Sequence, residues 1–251
     1  MRLRWSLLLL LGCSVTQSSA QDVYVQSGSQ ATTFDCDTGA WTQSGAGIGL
    51  DGERSDVYFE ASRSSRCGGA ETRLLADVYQ RFGKGMYANV RIVLTPNADR
   101  HPRSDVLAEA FRAIGKRLEA SLQVRQMRYP GTTATIVAPS LTRYAGNRYV
   151  RLQVLGAKAG EAPLSIAATA SFRTYREGRN YVEFRTGAGR EVIELPGALL
   201  VSLGYYAGLS ANQRIGRFRL APNVGWTYDQ QLGGRGTIGL QVRTATGDGQ
   251  E

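Results

Sequence analysis

Leu164-Ser165-Ile166-Ala167-Ala168-Thr169-Ala170-Ser171-Phe172-Arg173 alternates without a break. Leu164, Ile166, Ala168, Ala170 and Phe172 make one face, and Ser165, Ala167, Thr169, Ser171 and Arg173 the other. Successive side chains of an extended chain point to opposite sides, so period 2 reads as a strand with one apolar face. The pattern recurs. Leu118, Ala120, Leu122 and Val124 oppose Glu119, Ser121, Gln123 and Arg125. Val150, Leu152 and Val154 oppose Tyr149, Arg151 and Gln153, while Ile238, Leu240 and Val242 oppose Thr237, Gly239, Gln241 and Arg243. A soluble sandwich would alternate in the same way. Two features separate the readings. The polar face repeatedly carries Arg with Gly and Ser, which suits a wet, crowded lumen better than a solvated surface. The aromatics Tyr24, Trp41, Tyr87, Tyr129, Tyr144, Tyr175, Tyr181, Trp226 and Tyr228 fall near segment ends, as in the lipid-facing girdles of outer-membrane barrels. The fold expected is all-β, a single antiparallel transmembrane β-barrel.

Strands are expected at 22–34, 40–50, 56–65, 71–82, 86–95, 105–113, 117–129, 133–144, 148–157, 163–175, 180–188, 198–208, 214–229 and 235–246. That is about 14 segments, with twelve as the alternative count, and bacterial barrels use even numbers. Connections after the even strands are short, and those after the odd strands are mostly longer, including 96–103 and 191–196. Short periplasmic turns and longer outer loops follow the same rule. One segment conflicts locally: Ser104-Asp105 followed by Val106, Leu107, Ala110, Phe111, Ile114 and Leu118 has the cap and spacing of an amphipathic helix. A helix there would leave 13 strands, so a strand is expected.

Composition narrows the class further. Hydrophobic residues make up 42% of the 251 residues, which argues against wholesale disorder. No apolar run approaches the ~20 residues of a spanning helix. Met1-Arg2-Leu3-Arg4, the apolar Trp5 to Gly12 and the small residues Ser18-Ser19-Ala20 form an export signal, giving a signal peptide over 1–20 and a barrel over 21–251. Leu10-Leu11-Gly12-Cys13 offers a rival cut, a lipobox with a lipidated Cys13. Cleavage after Ala20 removes Arg2 and Arg4 and lowers the net charge from +9 to +7. In an oxidising compartment the remaining pair, Cys36 and Cys67, is expected to close a disulfide between the first two outer loops. A loop of about 30 residues makes such a bond worth ~3–4 kcal/mol on the chain-entropy model.

The run Tyr79-Gln80-Arg81-Phe82-Gly83-Lys84-Gly85-Met86-Tyr87-Ala88 is similar to the hairpin signature of the YaiO-type outer-membrane β-barrel proteins. So are Val124-Arg125-Gln126-Met127-Arg128-Tyr129, where the family usually has Gly in place of Val124, and Ser140-Leu141-Thr142-Arg143-Tyr144-Ala145-Gly146-Asn147. Arg173-Thr174-Tyr175-Arg176-Glu177-Gly178-Arg179-Asn180-Tyr181, with Gly187 and Gly189 after it, resembles the following hairpin. The resemblance runs in order along essentially the whole mature chain. It implies the cell outer membrane, with its lipid and the barrel insertion machinery as partners, and an envelope role. Some members are similar to proteins of exopolysaccharide export loci, so a polysaccharide export system is a further partner it suggests.

The inward-facing basic residues expected from parity are Arg73, Arg81, Arg91, Arg125, Arg151, Arg173, Arg185, Arg217, Arg219 and Arg243, against Glu60, Asp77, Glu119 and Glu183. Excess arginine favours anions and grips carboxylates or phosphates through forked hydrogen bonds. The function expected is a narrow, porin-like passage or accessory for anions or saccharides. The alternative is a plugged barrel, filled by internal ion pairs, with a structural or surface-interaction role. Arginines spread over many strands do not form a nucleic-acid patch. Lipopolysaccharide is the more natural anionic partner, through the loop residues Arg63, Arg66, Arg100 and Arg103. His101 lies beside Asp99, Ser104 and Asp105, the residue types of a lipid-modifying barrel enzyme. Nearness in sequence does not assemble a triad, however, so no catalytic residue, cofactor or metal is expected.

Overall fold

The computed structural model describes residues 22–32, 41–66, 69–99, 101–176, 180–195, 198–230 and 233–245. The expected export signal, Cys13 and the Cys36–Cys67 disulfide lie outside the described residues. Fourteen strands follow one another: β1 (Asp22–Thr32), β2 (Trp41–Asp51), β3 (Ser55–Arg66), β4 (Gly69–Gly83), β5 (Met86–Leu94), β6 (Ser104–Ile114) and β7 (Leu118–Tyr129). They continue with β8 (Thr132–Ala145), β9 (Arg148–Ala159), β10 (Ser165–Tyr175), β11 (Tyr181–Leu195), β12 (Ala198–Ile215), β13 (Phe218–Asp229) and β14 (Gly233–Ala245). Each pairs antiparallel with its sequence neighbours, and β1 closes on β14 with Tyr24 opposite Ala245 and Thr32 opposite Thr237. Closure leaves no edge strand, which is what a sheet immersed in lipid requires.

The two faces are inverted relative to a soluble protein. Val90, Val124, Leu152, Ile166, Val224, Ile238 and many other large apolar side chains are exposed on the outside. The buried apolar residues among those described are only Tyr24, Val93, Ala134, Ala138 and Ala159. In a bilayer each outward Val, Leu or Ile recovers roughly 1.5–3 kcal/mol that it would forfeit in water. The buried polar set (Ser62, Glu71, Asp105, Glu109, Glu119, Ser121, Glu183 and others) lies on the opposite parity, facing the lumen.

The segment 105–113 is a strand. β6 pairs along its length with β5 and β7, placing Asp105, Leu107, Glu109 and Phe111 inward and Val106, Ala108 and Ala110 outward. The pattern of apolar residues fits a helix only if Asp105 and Glu109 are left to solvent. In the barrel both carboxylates gain arginine partners. The turn within 214–229 comes at Gly216-Arg217, where Gly216 takes a left-handed φ of 58° that favours glycine.

Both chain-terminal strands begin or end at the rim that carries the turns after even strands, here called the terminal rim. At the opposite, loop rim two connections among the described residues differ from expectation. Pro130-Gly131 joins Tyr129 to Thr132, and 191–195 continue β11 in a hairpin with β12 rather than forming a loop. Among the described residues the main loop comprises 95–99 and 101–103, which flank residue 100. Pro139 and Pro222 sit inside strands. The β8–β9 pairing skips Ala138-Pro139 and the β12–β13 pairing skips Ala221-Pro222, because proline has no N–H to donate.

Candidate functional site

Strand parity places most of the charged and aromatic side chains of the lumen wall on β3 to β11. On β3–β5, Arg81 Nη2 donates to Asp56 Oδ2 at 2.6 Å, and Arg91 donates through Nε and Nη2 to Asp77 Oδ2 at 2.8 and 2.5 Å. On β6–β9, Arg125 grips Asp105 with both arms of its fork, at 2.8 and 2.6 Å. Arg151 pairs with Glu109, whose carboxylate also accepts from Ser121 Oγ at 2.5 Å. On β9–β11, Glu183 accepts from Arg173 Nε at 2.5 Å and Tyr149 Oη at 2.8 Å, and also pairs with Arg185. Arg243 pairs with Asp51 and lies over the Tyr24 ring, 3.3 Å from its centroid. Arg73 reaches Gln43 Oε1 at 3.3 Å and Arg219 reaches Asn212 Oδ1 at 3.4 Å. Arg217 is different: it occupies the β12–β13 turn, with its guanidinium 5.1 Å from the Phe218 ring centroid, away from the lumen arginines.

In each of these ion pairs the cation is the more exposed partner. Side-chain exposure is 36% for Arg125 against 8% for Asp105, 25% for Arg151 against 9% for Glu109, and 58% for Arg185 against 0% for Glu183. Carboxylates are short and stay against the wall. Guanidiniums on long stems reach past them, so a pair that is neutral overall presents its positive end to the lumen.

The tyrosines do not form the lipid-facing girdle that their strand-end positions suggested. Tyr24, Tyr87, Tyr144, Tyr175 and Tyr181 share parity with Gln26, Asn89, Thr142, Arg173 and Glu183, and therefore line the inside. Tyr87 stacks on Phe111 at 4.3 Å and touches Tyr79 at 5.0 Å. Tyr149, Tyr175 and Tyr181 continue the arc around Arg173, whose guanidinium lies 4.1 Å from the Tyr181 centroid. Trp226 and Tyr228 do face outward, stacked at 5.9 Å.

Across β12–β14 and β1–β2 the middle of the wall is small and uncharged: Gly204, Gly208, Gly225, Gly239, Gly28, Gly45, Gly47 and Gly49, with Ser210, Asn223 and Gln241. Several of these glycines make room for a neighbour. A Cβ at Gly49 would overlap the Tyr24 ring, and one at Gly187 on β11 would overlap Tyr206. Tyrosine rings lying on glycine backbone stay flat to the wall. Fourteen strands already exceed the eight whose interior side chains alone can fill. Two cavities open from the lumen. One, of about 580 Å³, lies along β7–β12 and includes Arg125, Arg151 and Arg185. The other, of about 790 Å³, lies toward the terminal rim on β1–β6, where Asp51, Asp56, Glu60 and Asp77 accompany Arg81 and Arg91.

The loop 95–103 turns inward at the loop rim. Glu71 Oε1 accepts from the Asp99 N–H at 2.7 Å and Oε2 from the His101 N–H at 3.2 Å. The His101 ring lies 5.5 Å from Trp41, with Nε2 3.1 Å from Ser64 Oγ and 3.8 Å from Glu71. Serine and carboxylate thus both approach the same ring nitrogen, whereas a nucleophile–base–acid relay uses both nitrogens. The cluster ties the loop to the inner wall of β2–β4, and Ser104 takes no part in it. Sequence reading missed Asp105 and Glu109 because the helical look of 104–118 hid their parity, and Asp51, Asp56 and Glu71 because they lie near strand ends.

The sequence matches the YaiO membrane beta barrel domain over residues 22–192. None of the curated proteins matches it. Among solved structures, a bacterial polysaccharide outer membrane secretin superposes with a TM-score of 0.54 at 7% identity, covering 90% of this chain and 98% of that one. Pseudomonas aeruginosa OccK3 (OpdO) gives 0.50 at 8% identity, covering 90% and 95%. At such identities the likeness is one of fold. With the apolar outer belt and the closed wall, these matches make the chain an outer-membrane β-barrel, a member of the YaiO membrane β-barrel domain family.

Proposed function

We propose that the barrel is a narrow outer-membrane passage favouring anions and acidic saccharides, serving the passage or export of an envelope polysaccharide. The observation that carries this reading is the polarity of the lumen ion pairs, each turning its guanidinium inward and its carboxylate to the wall. Exposed forked donors favour carboxylates and phosphates over cations. The small residues in the middle of β12–β14 and β1–β2 take up little of the lumen, which supports a passage beside the pairs. The fold likeness to a polysaccharide outer membrane secretin supports a saccharide as cargo.

A second reading, a plugged barrel with a structural role, draws on the mutual neutralisation of the pairs and on the inward loop 95–103. Single-channel recording of the refolded protein in a planar bilayer under asymmetric KCl separates the two. Discrete conductance with a reversal potential on the anion side is expected of a passage. A folded barrel that never conducts establishes the plugged reading instead.

A further inference from the structure

The lumen cavity along β7–β12 carries chemistry that the terminal-rim cavity lacks. Its lining residues include no carboxylate, whereas the other has Asp51, Asp56, Glu60 and Asp77. Asp105, Glu109 and Glu183 stand behind its arginines, nearly or wholly buried. Arg125, Arg151 and Arg185 therefore face it from three different strands, spaced around one curved wall. Between them lie the side-chain amides of Gln123 and Gln153. Gln153 Nε2, Arg151 Nε and Ser165 Oγ are buried and have no partner in the protein, and all three residues line this cavity. Buried polar groups are almost always satisfied, so three orphans around one space mark a place where a polar ligand or water completes the bonding. The volume, about 580 Å³, falls within the ~300–1,000 Å³ of small-molecule sites. Leu155 and Tyr206 supply apolar surface on the same lining.

We propose that this cavity is a binding subsite for a carboxylated saccharide, a hexuronate unit. Guanidinium forks take the carboxylate, the glutamine amides take ring hydroxyls, and Leu155 and Tyr206 meet the apolar face of the sugar. The proposal rests on the reading of the lumen as an anion and saccharide passage, and names where within it a cargo pauses. A free anion such as phosphate would use the arginines alone. A carboxylated sugar also uses the amides and the apolar wall.

Isothermal titration calorimetry on the refolded protein in detergent tests it, with hexa-oligogalacturonate, free galacturonate, a malto-oligosaccharide of equal length and inorganic phosphate as probes. Saturable binding of the galacturonates, at least tenfold tighter than that of the neutral oligosaccharide or phosphate, is expected. The hexamer against the monomer then tells a polymer from a free sugar as the source. Arg185→Gln keeps the Arg173–Glu183 pair and Gln153→Leu leaves no buried charge behind, so both variants should fold. Together they should weaken galacturonate binding at least tenfold. No saturable binding, equal binding of the neutral chain or of phosphate, or affinity untouched by the two substitutions would overturn the proposal. Anion-selective conductance without galacturonate binding removes the subsite and leaves the passage standing. Binding without conductance removes the passage and leaves the subsite.

Discussion

Glu183 has no exposed side-chain surface, and it holds Arg173, Arg185 and the Tyr149 hydroxyl at once. Removing a buried counter-charge strands its partner, at a cost of ~3–5 kcal/mol. Glu183→Gln should therefore lower the urea midpoint of the detergent-folded barrel markedly, followed by tryptophan fluorescence. Arg185→Gln, which removes the partner with 58% exposure, should cost no more than ~1 kcal/mol by the same measurement. Gly49 sets a second limit at this scale. A larger residue there displaces Tyr24, and with it the ring under Arg243. Gly49→Val is expected to destabilise the barrel, seen as a lower temperature for the gel shift between folded and heated forms. Which residues face inward was legible from parity, since Arg125, Arg151 and Arg173 all sit opposite apolar neighbours. Their partners were not. Arg151 and Glu109 stand 42 residues apart and meet only through the register of three strand pairings. Tyr24, Tyr87, Tyr144, Tyr175 and Tyr181 were misplaced because residue type at a strand end was given more weight than parity. Tyr175 has the same parity as Arg173, and parity decides the face.

The loop 95–103 shows how an element without regular structure is held. Its backbone N–H groups at Asp99 and His101 have Glu71 as acceptor, and the Trp41–His101 contact packs over that anchor. Glu71→Ala should free the loop from the wall while the strands persist. In bilayer recordings the expected result is larger, noisier conductance with an unchanged folded gel band; an identical trace would mean the loop does not narrow the mouth. At the level of elements the sequence was largely readable, because a β-barrel strand needs only alternation and a turn. The exceptions have local causes. In β6 the apolar residues satisfy both periods, and only pairing on both sides settles it. In β11 the charged run Arg190-Glu191 ahead of Pro196 looks like a loop, although the backbone goes on pairing with β12 as far as Leu195 opposite Ala198.

For the whole molecule, charge is unevenly spread round the wall: most arginine–carboxylate pairs lie on β3–β11, and across β12–β2 the Arg243–Asp51 pair borders a glycine-rich stretch. Replacing both Arg81 and Arg91, the exposed members of their pairs, with Glu should move the reversal potential toward the cation side in a KCl gradient. Strand count and closure followed from the evenness of the alternation, but lumen width against filling did not, since it depends on which long side chains lie flat. The seam between β1 and β14 carries a consequence of another kind. Thr32 and Thr237 share a hydrogen bond of 3.0 Å across 205 residues of sequence, and the first strand made has no second neighbour until the last arrives. Contacts this distant are entropically the slowest to form. Until they do, two raw strand edges would face hydrocarbon, which lipid does not tolerate. Assembly therefore waits on delivery of the complete chain. The half-built wall has to be sheltered in the meantime, and closing the seam is the step that commits the protein to the membrane.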